Sequence, residues 1–151
     1  MAKRRLIFIA AILFFFGLPL AGILLPYLSA HKAMRASGEK FVFVCTGEVL
    51  GHRDWSALED YGTLTLKQEL KKETFEKWLT KLGEFKSLGD LEVTRSWVST
   101  RGDRGWQFVS FVGQATFANS IADLRITVAR RSVVLDEWRV EAFEIVVPGV
   151  E

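Results

Sequence analysis

The chain reads as an α+β protein in which helices come first and a curved four-stranded antiparallel sheet follows, all behind an apolar N-terminal run. Three observations carry that reading. Residues Leu6–Leu28, LIFIAAILFFFGLPLAGILLPYL, contain no charged residue. Apolar residues then recur at helical spacing as far as Leu82. From Leu88 the period changes to two and continues to Val147.

As a helix, the first run is about 34 Å long, against a hydrocarbon core of about 30 Å. Lys3-Arg4-Arg5 precede it, a charge layout shared by signal peptides and signal anchors. The run is longer than the apolar core of a signal peptide, about 7–15 residues, which favours an uncleaved anchor. Leu28-Ser29-Ala30 nonetheless offers a cleavage sequence after Ala30, so both readings stand. The short basic tail favours an inside N-terminus, although Lys32, Arg35 and Lys40 weaken the bias. The expected organisation is a cytoplasmic tail at 1–5, a transmembrane signal anchor at 6–28 in a bacterial inner membrane, and a juxtamembrane linker at 29–35. One extracytoplasmic α+β domain follows at 36–151.

Composition narrows the function classes. Removing Lys3, Arg4 and Arg5 from 20 Lys and Arg leaves 17, against 18 Asp and Glu, a balance of −1. Interspersed signs near neutrality argue against a nucleic-acid partner, which needs a concentrated basic face. Cys45 is the single cysteine, so an intrachain disulfide and a cysteine metal cluster are both excluded. Within FVFVC it reads as a small buried hydrophobe.

Taken in order, residues 31–50 form a helix with Phe41, Val44, Cys45 and Val49 on one face. Good helix formers flank it (Ala33, Met34, Ala36, Glu39 and Lys40). The β-branched and aromatic FVFV keeps a strand as the alternative. Gly51–Asp54 breaks the chain, and Asp54 caps a short turn from Trp55 to Tyr61. Leu66 and Leu70 mark a further helical turn. Thr74–Leu82 is the clearest helix: Thr74 caps it, Phe75, Trp78, Leu79 and Leu82 form its apolar face, and Gly83 stops it. In the first strand Leu91, Val93 and Trp97 alternate with Glu92, Thr94 and Ser96. Arg101–Gly105 turns into Trp106–Ala118. Asn119-Ser120 turns into a strand with Ala122, Leu124, Ile126 and Val128 on one side. Asp136-Glu137 then leads into Trp138–Val147.

Two strands change phase. Trp138 and Val140 have one parity, and Phe143, Ile145 and Val147 the other. Trp106 and Phe108 likewise give way to Val109, Phe111, Ala115 and Phe117. A β-bulge in each strand accounts for this and bends the sheet around the Phe75 helix. Without a bulge, apolar residues occupy both sheet faces, and one face needs a partner.

Helices before a curved meander ending in a W-x-V strand resemble the nuclear transport factor 2-like, cone-shaped α+β superfamily, closest to its small bacterial extracytoplasmic members of unknown function. The resemblance spans residues 36–147. It rests on His52-Arg53-Asp54-Trp55, Phe75-Glu76-Lys77-Trp78-Leu79 with Leu82-Gly83, Trp106 to Phe117, and Glu137-Trp138-Arg139-Val140. Glu137 stands where the superfamily usually has glycine. A cystatin-like domain or a small membrane-bound respiratory-assembly factor shows a similar order. Members of the superfamily range from enzymes to scaffolds, so the resemblance implies a fold and leaves function open.

The chemistry-bearing residues each have a plain alternative. His52-x-Asp54 has the spacing of two metal ligands or an acid–base pair, and equally of a loop histidine beside a helix cap. His31 lies beside the apolar run. Asp123 is a base if it enters a pocket, and a solvent-facing residue opposite Leu124 and Ile126 otherwise. Arg101-Gly102-Asp103 is explained by hairpin chemistry. Trp97, Trp106, Phe108, Phe111, Phe117 and Trp138 line a ligand cavity or fill a core. Arg130-Arg131 and Arg139 meet anionic headgroups or an acidic partner, or stand in solvent. No phosphate loop, catalytic triad pattern, zinc spacing or dinucleotide fingerprint occurs.

The sequence therefore carries no assigned catalytic, cofactor-binding or metal-binding residue. The leading expectation is a single-pass membrane protein whose domain binds a protein partner or a second copy of itself without catalysis. The competing one is an apolar-ligand pocket protein or small enzyme, with Tyr61, Trp97, Phe108, Phe111, Phe117, Asp123 and Trp138 as pocket candidates and His52 as a further polar group.

Overall fold

Helix α1, Leu18–Gly51, is followed by three shorter helices, α2 (Trp55–Tyr61), α3 (Leu64–Glu69) and α4 (Lys72–Leu82). Strands β1 (Phe85–Ser99), β2 (Trp106–Phe117), β3 (Ile121–Arg131) and β4 (Arg139–Val146) form one open antiparallel sheet in the order β1-β2-β3-β4. The α+β class, with helices before a four-stranded antiparallel meander, is thus as the sequence predicts. The computed structural model describes residues 18–100, 105–131 and 137–147. Among the described residues no helix is long and apolar enough to cross a membrane. Residues 6–17 of the expected span lie outside them, as do 101–104 and Asp136 of the expected turns, while 18–28 begin α1.

The described residues divide into two units, one up to Ala36 and one from Ser37. In the first, Leu28, His31, Lys32 and Arg35 line a shallow hollow along α1. In the second, α1 turns Val42, Cys45, Thr46, Val49 and Leu50 inward, all at 1% exposure or less. The stretch is helical, but its buried stripe differs from the expected one, since Val44 is 50% exposed. The stripe runs 38, 42, 45, 49, and its first member has no side chain to signal it. Gly38 permits close approach to the sheet: a Cβ there would lie 3.3 Å from Phe111 Cζ and 3.6 Å from Trp138 Cζ2. The buried Thr46 hydroxyl has no hydrogen-bond partner among the described residues.

Asp54 caps α2 as its sequence predicts, accepting from the backbone N–H groups of Ser56 and Ala57. α4 begins at Lys72, two residues before the expected Thr74, and Lys71 supplies no side-chain cap. Phe75, Leu79 and Leu82 bury its inner face, with the Phe75 ring 6.5 Å from that of Phe143 on β4 and 5.5 Å from that of Trp55. Burying each such side chain contributes about 1.5–3 kcal/mol. Gly83 ends α4 at φ 84°, ψ −156°, a region open to glycine alone. The chain then enters β1, tied to the β2–β3 turn where the Asn119 N–H donates to the Leu82 carbonyl at 3.0 Å and that of Ala118 to the Glu84 carbonyl at 2.7 Å.

The bulges are distributed differently from the expectation. β4 does carry one: Thr127 pairs with Ala142 but Val128 with Val140. Trp138, Val140, Phe143 and Ile145 are accordingly all buried despite their change of parity. β2 carries none against β3, since the register from Trp106↔Arg131 to Thr116↔Ile121 is unbroken. Its phase change is genuine: Val109, Phe111, Ala115 and Phe117 face the helices, and Trp106 and Phe108 face away. The irregularity lies in β1, which starts at Phe85 rather than Leu88 and holds three register shifts against β2, at Phe85/Ser87, Leu88/Leu91 and Val93/Arg95.

Gly83→Ala should destabilise the protein by about 1–3 kcal/mol, because no other residue adopts that backbone without strain. Thr46→Val should stabilise it by about 1 kcal/mol by removing an unpaired buried hydroxyl. Denaturant midpoints at unchanged slope measure both effects.

Candidate functional site: an aromatic cleft on the free face of the sheet

Side chains in a strand alternate between faces, so one extra residue moves every later side chain to the other side. Val93 pairs with Phe111 and belongs to the core face. Thr94 is the extra residue, and its hydroxyl donates to the Ser110 carbonyl at 3.3 Å, pinning the irregularity. Beyond it Ser96 pairs with the buried Val109, and Trp97 pairs with Phe108 on the opposite face. The expectation that Trp97 shares a face with Leu91 and Val93 is therefore corrected.

Laterally opposed residues share a face. Across the sheet, Trp97, Phe108, Ala129 and Arg139 form one row, and Ser99, Trp106 and Arg131 the next. The Trp97 and Phe108 rings stack at 5.0 Å and 6°, and the Trp106 ring lies 6.4 Å from that of Phe108. Guanidinium groups complete the surface: Arg95 sits 4.8 Å from the centre of the Trp97 ring, and Arg131 5.5 Å from that of Trp106. Cation–aromatic contacts of this kind contribute about 0.5–1 kcal/mol at exposed sites.

The facing wall comes from the α2–α3 connection. Gly62 bridges to Val140 at the β4 edge, and the Thr63 N–H donates to the Val140 carbonyl at 2.9 Å. This bond holds residues 62–65 beside the aromatic rows. The resulting cleft encloses about 610 Å³ and is open to solvent, with Arg131, Arg139 and Glu141 at its polar side. Leu64, 77% exposed, stands on its rim. Arg139 donates to the Asp60 carbonyl, which fixes it beside the connection. A second cleft of about 360 Å³ shares Trp106, Arg131 and Arg139 and adds Arg130.

The six aromatic candidates therefore divide between two faces. Trp97, Trp106 and Phe108 line the cleft. Phe111 and Phe117, 1% and 3% exposed, belong to the core. Trp138, 7% exposed, does as well; its Nε1 donates to the Ser37 hydroxyl at 3.1 Å, and Arg130 lies 4.5 Å from the centre of its ring. Asp123 pairs with Gln114 and Val146 at the far end of β3 from Arg131, away from the cleft. Tyr61 lines a smaller hollow near Asp60 and Trp138, its ring edge-on to Phe41 at 5.5 Å and its hydroxyl donating to the Glu48 carboxylate.

The remaining polar candidates have structural positions. The Asp54 carboxylate is engaged in capping α2, and the Ser56 hydroxyl that donates to it at 2.7 Å is the main cause that lowers its pKa. Burial pushes the Cys45 thiol up to about 12, with the Glu48 charge adding to it, which leaves it inert as a nucleophile. Among the described residues no three of His, Cys, Asp and Glu converge as a metal site. Arg101-Gly102-Asp103 lies outside the described residues. Residues 62–65 and Glu141 were not legible as site residues: their membership depends on the bridge to β4, which leaves no local sequence signal.

Comparison with protein-family models, curated proteins and solved structures finds no match. The cleft is thus read from its own geometry.

Cys45 and Tyr61 together predict an alkaline limit. Burial holds the thiol proton from an ordinary 9.0 to about 12, and the Glu48 hydrogen bond holds the Tyr61 proton from 10.0 to about 12. Between these values the unfolded chain releases protons that the folded chain keeps. The stability both groups contribute is complete below about pH 9 and declines as pH rises toward 12. Thermal midpoints followed across that window should fall, and Tyr61→Phe should flatten the decline. A thiol reagent should label Cys45 only on unfolding.

Proposed function

We propose that the protein is a single-pass, membrane-anchored binding module of a bacterial inner membrane. Its domain is extracytoplasmic, of the nuclear transport factor 2-like type, and receives a protein partner on the aromatic cleft without catalysis. The observation that carries this reading is the placement of Trp97, Trp106 and Phe108. Three large aromatic side chains stand half-buried on the sheet face opposite α1 and α4, flanked by Arg95, Arg131 and Arg139. Aromatic residues and arginine are the types enriched where proteins bind one another. The uncharged run Leu6–Leu28 behind Lys3-Arg4-Arg5 supports the anchor and the inside N-terminus. Helices followed by a bulged antiparallel meander support the superfamily assignment.

A small apolar ligand in the same cleft is the second reading, favoured by the cleft volume of about 610 Å³. Pockets for such ligands measure about 300–1,000 Å³.

A photo-crosslinking side chain in place of the exposed Leu64, introduced into the full chain in cells, separates the two. A discrete heavier protein species, abolished by the rim-filling Thr65→Trp, is the expected result. An adduct of small-molecule mass selects the second reading, and labelling that Thr65→Trp leaves unchanged rejects both. A reporter fused after Glu151 should be active only outside the cytoplasm, and cytoplasmic activity rejects the proposed orientation.

A further inference from the structure

After Lys86 the sequence contains no lysine; its seven basic residues, Arg95 to Arg139, are all arginine. Four of them, Arg95, Arg130, Arg131 and Arg139, gather at the end of the sheet that carries the two joined clefts. Residues 36–151 hold 15 Lys and Arg against 18 Asp and Glu, a net −3. Against that background, Arg95, Arg131 and Arg139 on the aromatic face with Glu141 make a local +2, while Arg130, paired with Gln107, lies on the other face over Trp138. The sign of the domain reverses at its aromatic surface.

The choice of cation has chemical content. A guanidinium is planar, lies flat on an aromatic ring, and matches a carboxylate with two parallel N–H groups; an ammonium does neither as well. Arg95, Arg130 and Arg131 each lie over a tryptophan ring, and the Arg130 Nε also donates to the Gln107 side chain at 2.8 Å. Arginines held in this way lose less freedom when they meet an anion. Spacing also fits a peptide. Phe108 and Trp106 lie two residues apart on β2, roughly 7 Å, which is also the repeat between alternate side chains of an extended chain.

Resting on the reading of the cleft as a protein-binding site, we infer that it takes an acidic segment of the partner. One apolar side chain seats against Trp97, Trp106 and Phe108, and a carboxylate two residues away meets Arg131. The open cleft, with Ser99, Thr63 and Thr65 among its lining residues, does not suit an acyl chain, which needs an enclosed apolar tunnel.

The test uses the full chain in phosphatidylcholine nanodiscs, titrated with three short labelled peptides. One carries Leu-Phe followed by alternating Asp and Glu, one has Lys at the acidic positions, and one has Ala at the apolar pair. The first should bind about tenfold more tightly than either of the others, and lose that margin as salt rises. Arg131→Gln should weaken the acidic peptide about tenfold and leave the basic one unchanged. Thr65→Trp, on the exposed rim, should block binding while leaving the core untouched. Equal affinity for acidic and basic peptides, both blocked by Thr65→Trp, overturns the acidic preference yet keeps the protein-binding reading. Three further results overturn the inference: no binding by any of the peptides, stronger binding to phosphatidylglycerol vesicles, and stronger binding to a single-stranded oligonucleotide. In each of these the crosslink from position 64 independently decides whether a protein still occupies the cleft.

Discussion

One extra residue in an edge strand governs what this domain shows to its surroundings. Thr94 has no opposite number on β2, and its hydroxyl is anchored to the Ser110 carbonyl. Because side chains alternate strictly along a strand, that single insertion turns Trp97 from the helix-covered face to the free face. There it stacks on Phe108, which β2 already presents outward. A half-buried tryptophan–phenylalanine stack brings a large apolar area with few torsions to order, which is what a contact surface needs. The core is indifferent to the change, since Val93 and Ser96 continue to pair with core-facing residues on either side of it.

The two faces of the sheet serve different ends. Toward the helices, Phe111 closes on Gly38, Phe143 meets Phe75, and Trp138 is held between Ser37 and Arg130. On the other face, apolar rings, guanidinium groups and one polypeptide connection meet without closing. The Thr63–Val140 hydrogen bond joins the faces, because it ties the α2–α3 connection to the same strand that buries Val140 in the core. Core and cleft are therefore built on one piece of backbone.

Much of this was legible in the residues, and the exceptions have physical causes. The Asp54 cap, the Gly83 stop, the turn at Asn119-Ser120 and the bulge between Val140 and Phe143 all announce themselves through local chemistry or parity. The start of β1 did not, because its inward residues Phe85, Leu88 and Leu91 fall three apart. That spacing imitates a helix and arises from two of the register shifts. The same cause hid the position of Trp97. On α1 the inward stripe is hidden in the sequence because Gly38, which carries no hydropathy, is part of it. In β2 the change of phase was visible, but a sequence alone cannot tell a bulge from a strand with two apolar faces. The cleft depends on that distinction, so it was legible as residues and not as a place.

The three irregularities of β1 also bear on how copies of this chain meet one another. β1 is an edge of the sheet, with a row of backbone groups open to pairing by another strand. Its longest run in uninterrupted register is Arg95–Ser99, five residues. Ordered cross-strand stacking between chains is built from regular segments of about six or seven residues. A strand of fifteen residues is thus broken into pieces each too short to template a neighbour, and the edge beside the aromatic cleft is blunted by its own backbone.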